Sequence, residues 1–127
     1  MRIRWVIIVA IASLSGCAWL TGSNEYRVYF QSNSTDTDTQ AIRTIRAAAD
    51  FAQAHPLQPV TVTGYSAPPD PNLNIDNLSG KRADKVTQML VDEGVRPERI
   101  TTGANGVTDP KTLPELAVRR VDVSIGK

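Results

Sequence analysis

The nine residues "GYSAPPDPN", Gly64 to Asn72, set a single carboxylate, Asp70, among three prolines. Each proline fixes its φ, so such a loop presents an acid in one shape at low entropic cost. Other side chains able to do chemistry are sparse. His55 is the one histidine and Cys17 the one cysteine. The lone histidine belongs to no Ser/His/Asp arrangement, no metal-ligand spacing occurs, and there is no glycine-rich phosphate loop. "QSNSTDTDTQ" holds Asp36 and Asp38, but acids there suit a helix start better than a metal. Thr37 as N-cap with Gln40 three residues on reads as a capping box. No enzyme activity, metal or cofactor is expected from these residues.

Hydrophobic spacing defines the elements that must position the loop. "EYRVYF" alternates, with Tyr26, Val28 and Phe30 on one face of a strand. From Asp38 to Ala54, the positions Ile42, Ile45, Ala48, Ala49 and Ala52 keep helical spacing. "HPLQP" ends that helix, because Pro56 cannot continue it, and His55 reads as a solvated C-terminal cap. "VTVT", Val60 to Thr63, is a strand leading into the loop. In "LSGKRADKVTQMLVDEG", Ser79 is the expected N-cap. Ala83, Val86, Met89 and Leu90 form the buried stripe, and Gly94 ends the helix. Ile100 to Thr102 forms a short strand, "GANGVTDPKTLPE" reads as irregular, and "RRVDVSI" closes the chain with Val121, Val123 and Ile125 on one face. The order βαβαββ predicts an α/β fold, an α+β sandwich in which helices pack on one face of a mixed sheet.

The chain has 127 residues, enough for one small domain and a leader. Arg2 and Arg4, an apolar run from Trp5 to Ala12 and small residues up to Cys17 describe an export signal over residues 1–16. The run is far shorter than the ~20 residues that span a bilayer. "LSGC", Leu14 to Cys17, resembles the bacterial lipobox, in which the cysteine after the cleavage point carries lipid such as palmitate. A single cysteine allows no intramolecular disulfide, and acylation removes an otherwise reactive thiol. Ala18 stands where an aspartate often signals inner-membrane retention in such lipoproteins, which favours the outer membrane. Residues 17–24 then form the lipidated cysteine and a short tether, and 25–127 the domain. Ala18 to Asn24, fully extended, spans about 24 Å. Removing Arg2 and Arg4 turns the net charge from +1 to −1, a balance with no nucleic-acid footprint and no polybasic membrane patch.

Four segments in order resemble the OmpA-like domain of OmpA C-termini, the Pal lipoprotein and MotB. "VTVTGYS" is similar to the family's strand and GHTD or GYTD segment, and "LSGKRADKV" to its LSxxRAxxV helix start. "LVDEGVRPERI" is similar to its leucine–glycine–valine passage into the next strand, and "VRRVDVSI" to its NRRVEI final strand. The resemblance covers roughly Tyr26 to Ile125. It implies a binding module for the free end of the diaminopimelate side chain in peptidoglycan, which carries an ammonium and a carboxylate on one carbon. An arginine fork grips the carboxylate bidentately and an aspartate accepts from the ammonium.

Carried over, the arginine is Arg82, and Ser79 and Arg119 join it in the candidate ligand set. The aspartate is missing, because an ungapped match puts Ala67 in its place. Asp70, three residues on, is the candidate replacement, with Asp76 second; the other reading is a decayed site whose prolines only stiffen a loop. Asn74 lies one place early for the family's upstream asparagine, and Val118 replaces the usual asparagine before Arg119. The expected protein is an outer-membrane lipoprotein, its domain facing the periplasm, that links membrane to peptidoglycan through this atypical site. The alternative is a structural subunit of an envelope complex, in a secretion or motility apparatus, using the domain to dock other proteins.

Overall fold

"VTVTGYS" opens with four β-branched residues, and the strand it forms buries Val60, Val62, Gly64 and Ser66 on one side. The computed structural model describes residues 24–67, 77–107 and 118–126. They form β1 (Asn24–Tyr29), α1 (Thr39–Ala54), β2 (Val60–Ser66), α2 (Leu78–Asp92), a 3₁₀ turn (Pro97–Arg99), β3 (Ile100–Val107) and β4 (Arg120–Ile125). The sheet order is β1-β4-β2-β3. β4 runs antiparallel to both β1 and β2, and β2 runs parallel to β3. A parallel pair needs a crossover, which α2 supplies. The sheet is therefore mixed, as the βαβαββ order implied.

The closing strand fills a central slot. Val121, Val123 and Ile125 on β4 are fully buried, together with Val28, Val60 and Val62 from its neighbours. α1 covers them with Ala41, Ile45, Ala48, Ala49 and Ala52, and α2 with Ala83, Val86 and Leu90. Small residues on α1 let it lie close to the sheet. The other sheet face is polar: Arg120 bonds Asp122 at 2.9 Å and stacks over Tyr65 at 4.3 Å.

Gly64 sets how closely α2 approaches. A Cβ there would stand 2.0 Å from the Ser79 carbonyl oxygen and 3.1 Å from the Ala83 Cβ. Only a residue without a side chain allows strand and helix to touch at this point. At the far end of α2, Gly94 adopts φ 104°. Its N–H donates to the Val91 carbonyl and that of Val95 to Leu90, a Schellman closure with Val95 buried behind it.

Several local expectations are corrected. The α1 cap is Asp38, not Thr37, and its Oδ1 accepts from the Ala41 N–H at 2.7 Å. With that phase Ala41 turns inward and Ile42 is only half-buried. The α2 cap is Asn77, not Ser79; it adopts φ 55° and accepts from the Gly80 N–H at 3.3 Å. Ser79 instead lies on the buried stripe. Met89 is only partly buried. His55 caps α1 but is half-buried, its ring stacked on Phe51 at 4.0 Å. β3 continues through "GANGV" because Gly103, Ala104 and Val107 pair with Thr63, Gly64 and Ser66 on β2 across a register irregularity, and ladder pairing outweighs weak strand propensity.

Gly64→Ala should lower stability by about 1–3 kcal/mol through overpacking against Ser79, seen as a lower urea midpoint at unchanged slope. Gly103, where an added Cβ meets nothing within 4 Å, is the control: Gly103→Ala should stay within about 0.5 kcal/mol of the parent.

Candidate functional site

β1, β2 and β3 all run in one direction, so their carboxyl ends meet at one end of the sheet. The turn after β1 and the start of α2 lie there, and so does the start of β4. Open α/β sheets commonly bind ligands at this end. On α2, residues three and four apart share a face, and the inward stripe is Ser79, Arg82, Ala83, Val86 and Leu90. Arg82 is thus carried into the interior by helical spacing, and its long stem reaches the meeting point of the strand ends.

There Arg82 as a whole is 1% exposed. Nε donates to the Ser34 carbonyl at 3.0 Å, Nη1 to the Tyr65 carbonyl at 3.3 Å and Nη2 to the Gln31 carbonyl at 2.9 Å. Cζ sits 5.4 Å from the centre of the Phe30 ring. These contacts tie α2 to β2 and to the turn at residues 31–34, where Asn33 takes φ 51°. A guanidinium has five N–H bonds. The carbonyls use one on each nitrogen, which leaves one on Nη1 and one on Nη2. Among the described residues no carboxylate bonds Arg82.

Burial foremost, and then the charge of Arg119 beside it, together lower the Arg82 pKa to about 10. The group stays charged at neutral pH. Its folded pKa lies below the unfolded one, so in a window that opens at about pH 10 the unfolded chain binds more protons and stability gains from rising pH. Below that window the buried charge is a burden that a nearby anion would relieve. Arg119 itself donates from Nη1 to the Ser32 hydroxyl.

The structure brings Arg82, Ser79 and Arg119 to one end of the fold. Ser79 contributes backbone contact with β2 at Gly64. Ala67, half-buried, follows β2 two residues after the carbonyl that Arg82 holds. Asp70, Asp76 and Cys17 lie outside the described residues. The three carbonyl partners of Arg82 went unforeseen, because a backbone oxygen leaves no mark in the side-chain pattern. The inward position of Arg82 was open to detection: it falls three residues after Ser79 and four before Val86. Among the described residues, no three of His, Cys, Asp and Glu gather into a metal-binding group.

Residues 29–122 match the family model described as the OmpA family. The chain belongs to the OmpA family. Outer membrane porin F of Pseudomonas fluorescens is 38% identical over 86 residues, which is 64% of this chain and 26% of that protein. The chain thus spans about a quarter of that relative's length. Among solved structures, the peptidoglycan-associated lipoprotein of Burkholderia pseudomallei superposes with TM-score 0.66 at 20% identity, covering 79% of this chain and 89% of that one. The periplasmic domain of Helicobacter pylori MotB gives 0.69 at 17%, covering 83% and 76%. The OmpA-like domain of FopA1 from Francisella tularensis gives 0.64 at 20%, covering 80% and 71%. At these identities the likeness is one of fold.

Arg82→Met should lower stability by about 2–4 kcal/mol, since three part-buried carbonyls lose a charged donor and each such bond contributes about 1.5–3 kcal/mol, while removal of the buried charge offsets part of this. Arg82→Lys keeps the charge but not the fork and should lose roughly half as much. Urea unfolding of both variants checks this, and a change below about 0.5 kcal/mol for Arg82→Met would exclude the clamp.

Proposed function

We propose that this OmpA family protein is an outer-membrane lipoprotein, anchored through lipid on Cys17, whose domain binds peptidoglycan non-covalently from the periplasmic side. Residues 1–16 are its export signal and 17–24 its tether. The observation that carries the binding reading is Arg82: a charged, buried guanidinium with one N–H left on each Nη and a like charge, Arg119, beside it. Such a pair of N–H bonds suits a carboxylate taken bidentately. The anion expected from the family resemblance is the carboxylate at the free end of a diaminopimelate side chain. The name of the Burkholderia lipoprotein supports the same class of ligand. The site works by hydrogen bonds and charge alone, so the protein is a binding module and not an enzyme.

With Ala67 in place of an acid, the ammonium of that ligand loses its partner at this position, and Asp70 is the candidate to replace it. Ser79 contributes through the first turn of α2, whose backbone N–H groups favour an anion. Arg119 adds positive charge. A weak site suffices in a tethered protein, where effective concentration is high. A second reading, a protein-docking subunit of an envelope complex, draws support from the 1% exposure of Arg82 and its three backbone bonds, which give the arginine a purpose without any ligand.

Cosedimentation of the soluble domain with diaminopimelate-type sacculi separates the two. Ala67→Asp should tighten binding about ten- to a hundredfold, as a charge-assisted hydrogen bond contributes about 1.5–3 kcal/mol. That gain is expected where the site lacks an acid, and Asp70→Ala then changes nothing; if Asp70 serves as the acid, Asp70→Ala should abolish binding and Ala67→Asp change it little. A folded domain that fails to pellet, with or without Ala67→Asp, would reject peptidoglycan binding and leave the docking reading.

A further inference from the structure

The end of the sheet opposite Arg82 carries an exposed leucine. Asn24 pairs with Ile125, Ile125 with Val60, and Val60 with Ile100. The first residue of β1 therefore stands at the same end as the turns that lead into β2 and β3. Leu57, in the turn before β2, is 97% exposed. That turn is held firmly. Pro56 and Pro59 fix φ on either side, and Arg99 Nη2 donates to the carbonyls of His55 and Gln58, each at 2.8 Å. Leu57 is thus held outward by pinned backbone. Beside it an open groove of about 510 Å³ is lined by Pro56, Leu57, two cations, Arg96 and Arg99, and one acid, Glu98.

A single exposed leucine is ordinary in itself. What selects its occupant is the length of chain between Cys17 and Asn24. Six residues, 18–23, separate them, and the seven Cα steps reach at most about 24 Å. With Cys17 in a bilayer, the Asn24 end of the sheet is the end held near the lipid. The Arg82 end lies roughly 20 Å farther along the strands. An apolar tip beside arginines has the chemistry of an interfacial anchor, the leucine below the headgroups and the guanidinium groups at the phosphates.

We infer that Leu57, with Arg96 and Arg99, docks on the phospholipid surface and orients the domain with Arg82 facing away from the membrane. This rests on the lipid anchor at Cys17 proposed above. The docked end puts the entry of the tether on the membrane side and leaves the ligand end free for the wall.

In the lipidated mature protein the native cysteine is blocked, so Leu57→Cys supplies a unique thiol for a polarity-sensitive dye. Gln40→Cys, exposed in the first turn of α1, places the same dye at the opposite end. Both proteins are reconstituted in vesicles of phosphatidylethanolamine and phosphatidylglycerol containing doxyl-labelled lipid. Quenching at position 57 should exceed that at position 40 by at least about threefold and fall when Arg96→Glu is added. Flotation with the vesicles but equal quenching at the two positions would overturn the docking and leave the anchor standing. Failure to float, unchanged by Cys17→Ser, would overturn both.

Discussion

A guanidinium enclosed by backbone carbonyls is the interaction on which this end of the molecule depends. Arg82 joins the turn after β1, the end of β2 and the first turns of α2 through three donors of one rigid planar group. The Tyr65 carbonyl lies at the register irregularity near the end of β2, and those of Gln31 and Ser34 lie in the turn after β1. Satisfying three at once with one cation fixes the relative positions of three segments. The cost is a buried charge, visible in a pKa drawn down to about 10. Hydrogen bonds to charged groups offset that cost, and an anion on the two remaining N–H bonds would offset more. Under the proposed function, structural duty and ligand binding are two uses of one side chain.

The geometry behind the clamp comes from the sheet. β4 lies between β1 and β2, so the last segment of the chain completes the core and fixes the spacing of the two strands whose ends Arg82 joins. Gly64 brings α2 against β2 closely enough for Arg82 to reach the Tyr65 carbonyl. The parallel course of β1, β2 and β3 separates the molecule into two ends. Strand carboxyl ends and the α2 start gather at one; the chain entry, the α1–β2 turn and the 3₁₀ turn gather at the other. For the tethered binding module proposed above, that division would let anchor and ligand approach from opposite sides.

Much of this was legible in the sequence for identifiable reasons. Alternation in "VTVT" and "RRVDVSI" and the helical spacing of Ile45, Ala48, Ala49 and Ala52 all record burial, so strands, helices and their order could be read directly. Gly94 was readable because the closing of a helix in the left-handed region favours glycine. Caps were misplaced where adjacent residues compete: Thr37 and Asp38 are both good acceptors, and the backbone phase of α1 decides between them. Asn77 and Ser79 compete in the same way, until the contact of Ser79 with Gly64 takes it out of the running. The length of β3 was hidden because its pairing is with a strand some forty residues earlier, and local propensity is blind to that. Arg82 was singled out through the family resemblance, yet its three carbonyl partners carry no side-chain signature.

The central claim is that Arg82 spends three N–H bonds on the fold and keeps two for a carboxylate. Side-chain ¹⁵N spectra of the soluble domain, titrated with a stem peptide ending in diaminopimelate, test it most directly. The account predicts that the Arg82 Nη–H signals move and saturate, while its Nε–H, bonded to the Ser34 carbonyl, keeps its position and its slow exchange with water. Nη signals that stay fixed throughout the titration would contradict it and leave Arg82 with a structural role alone.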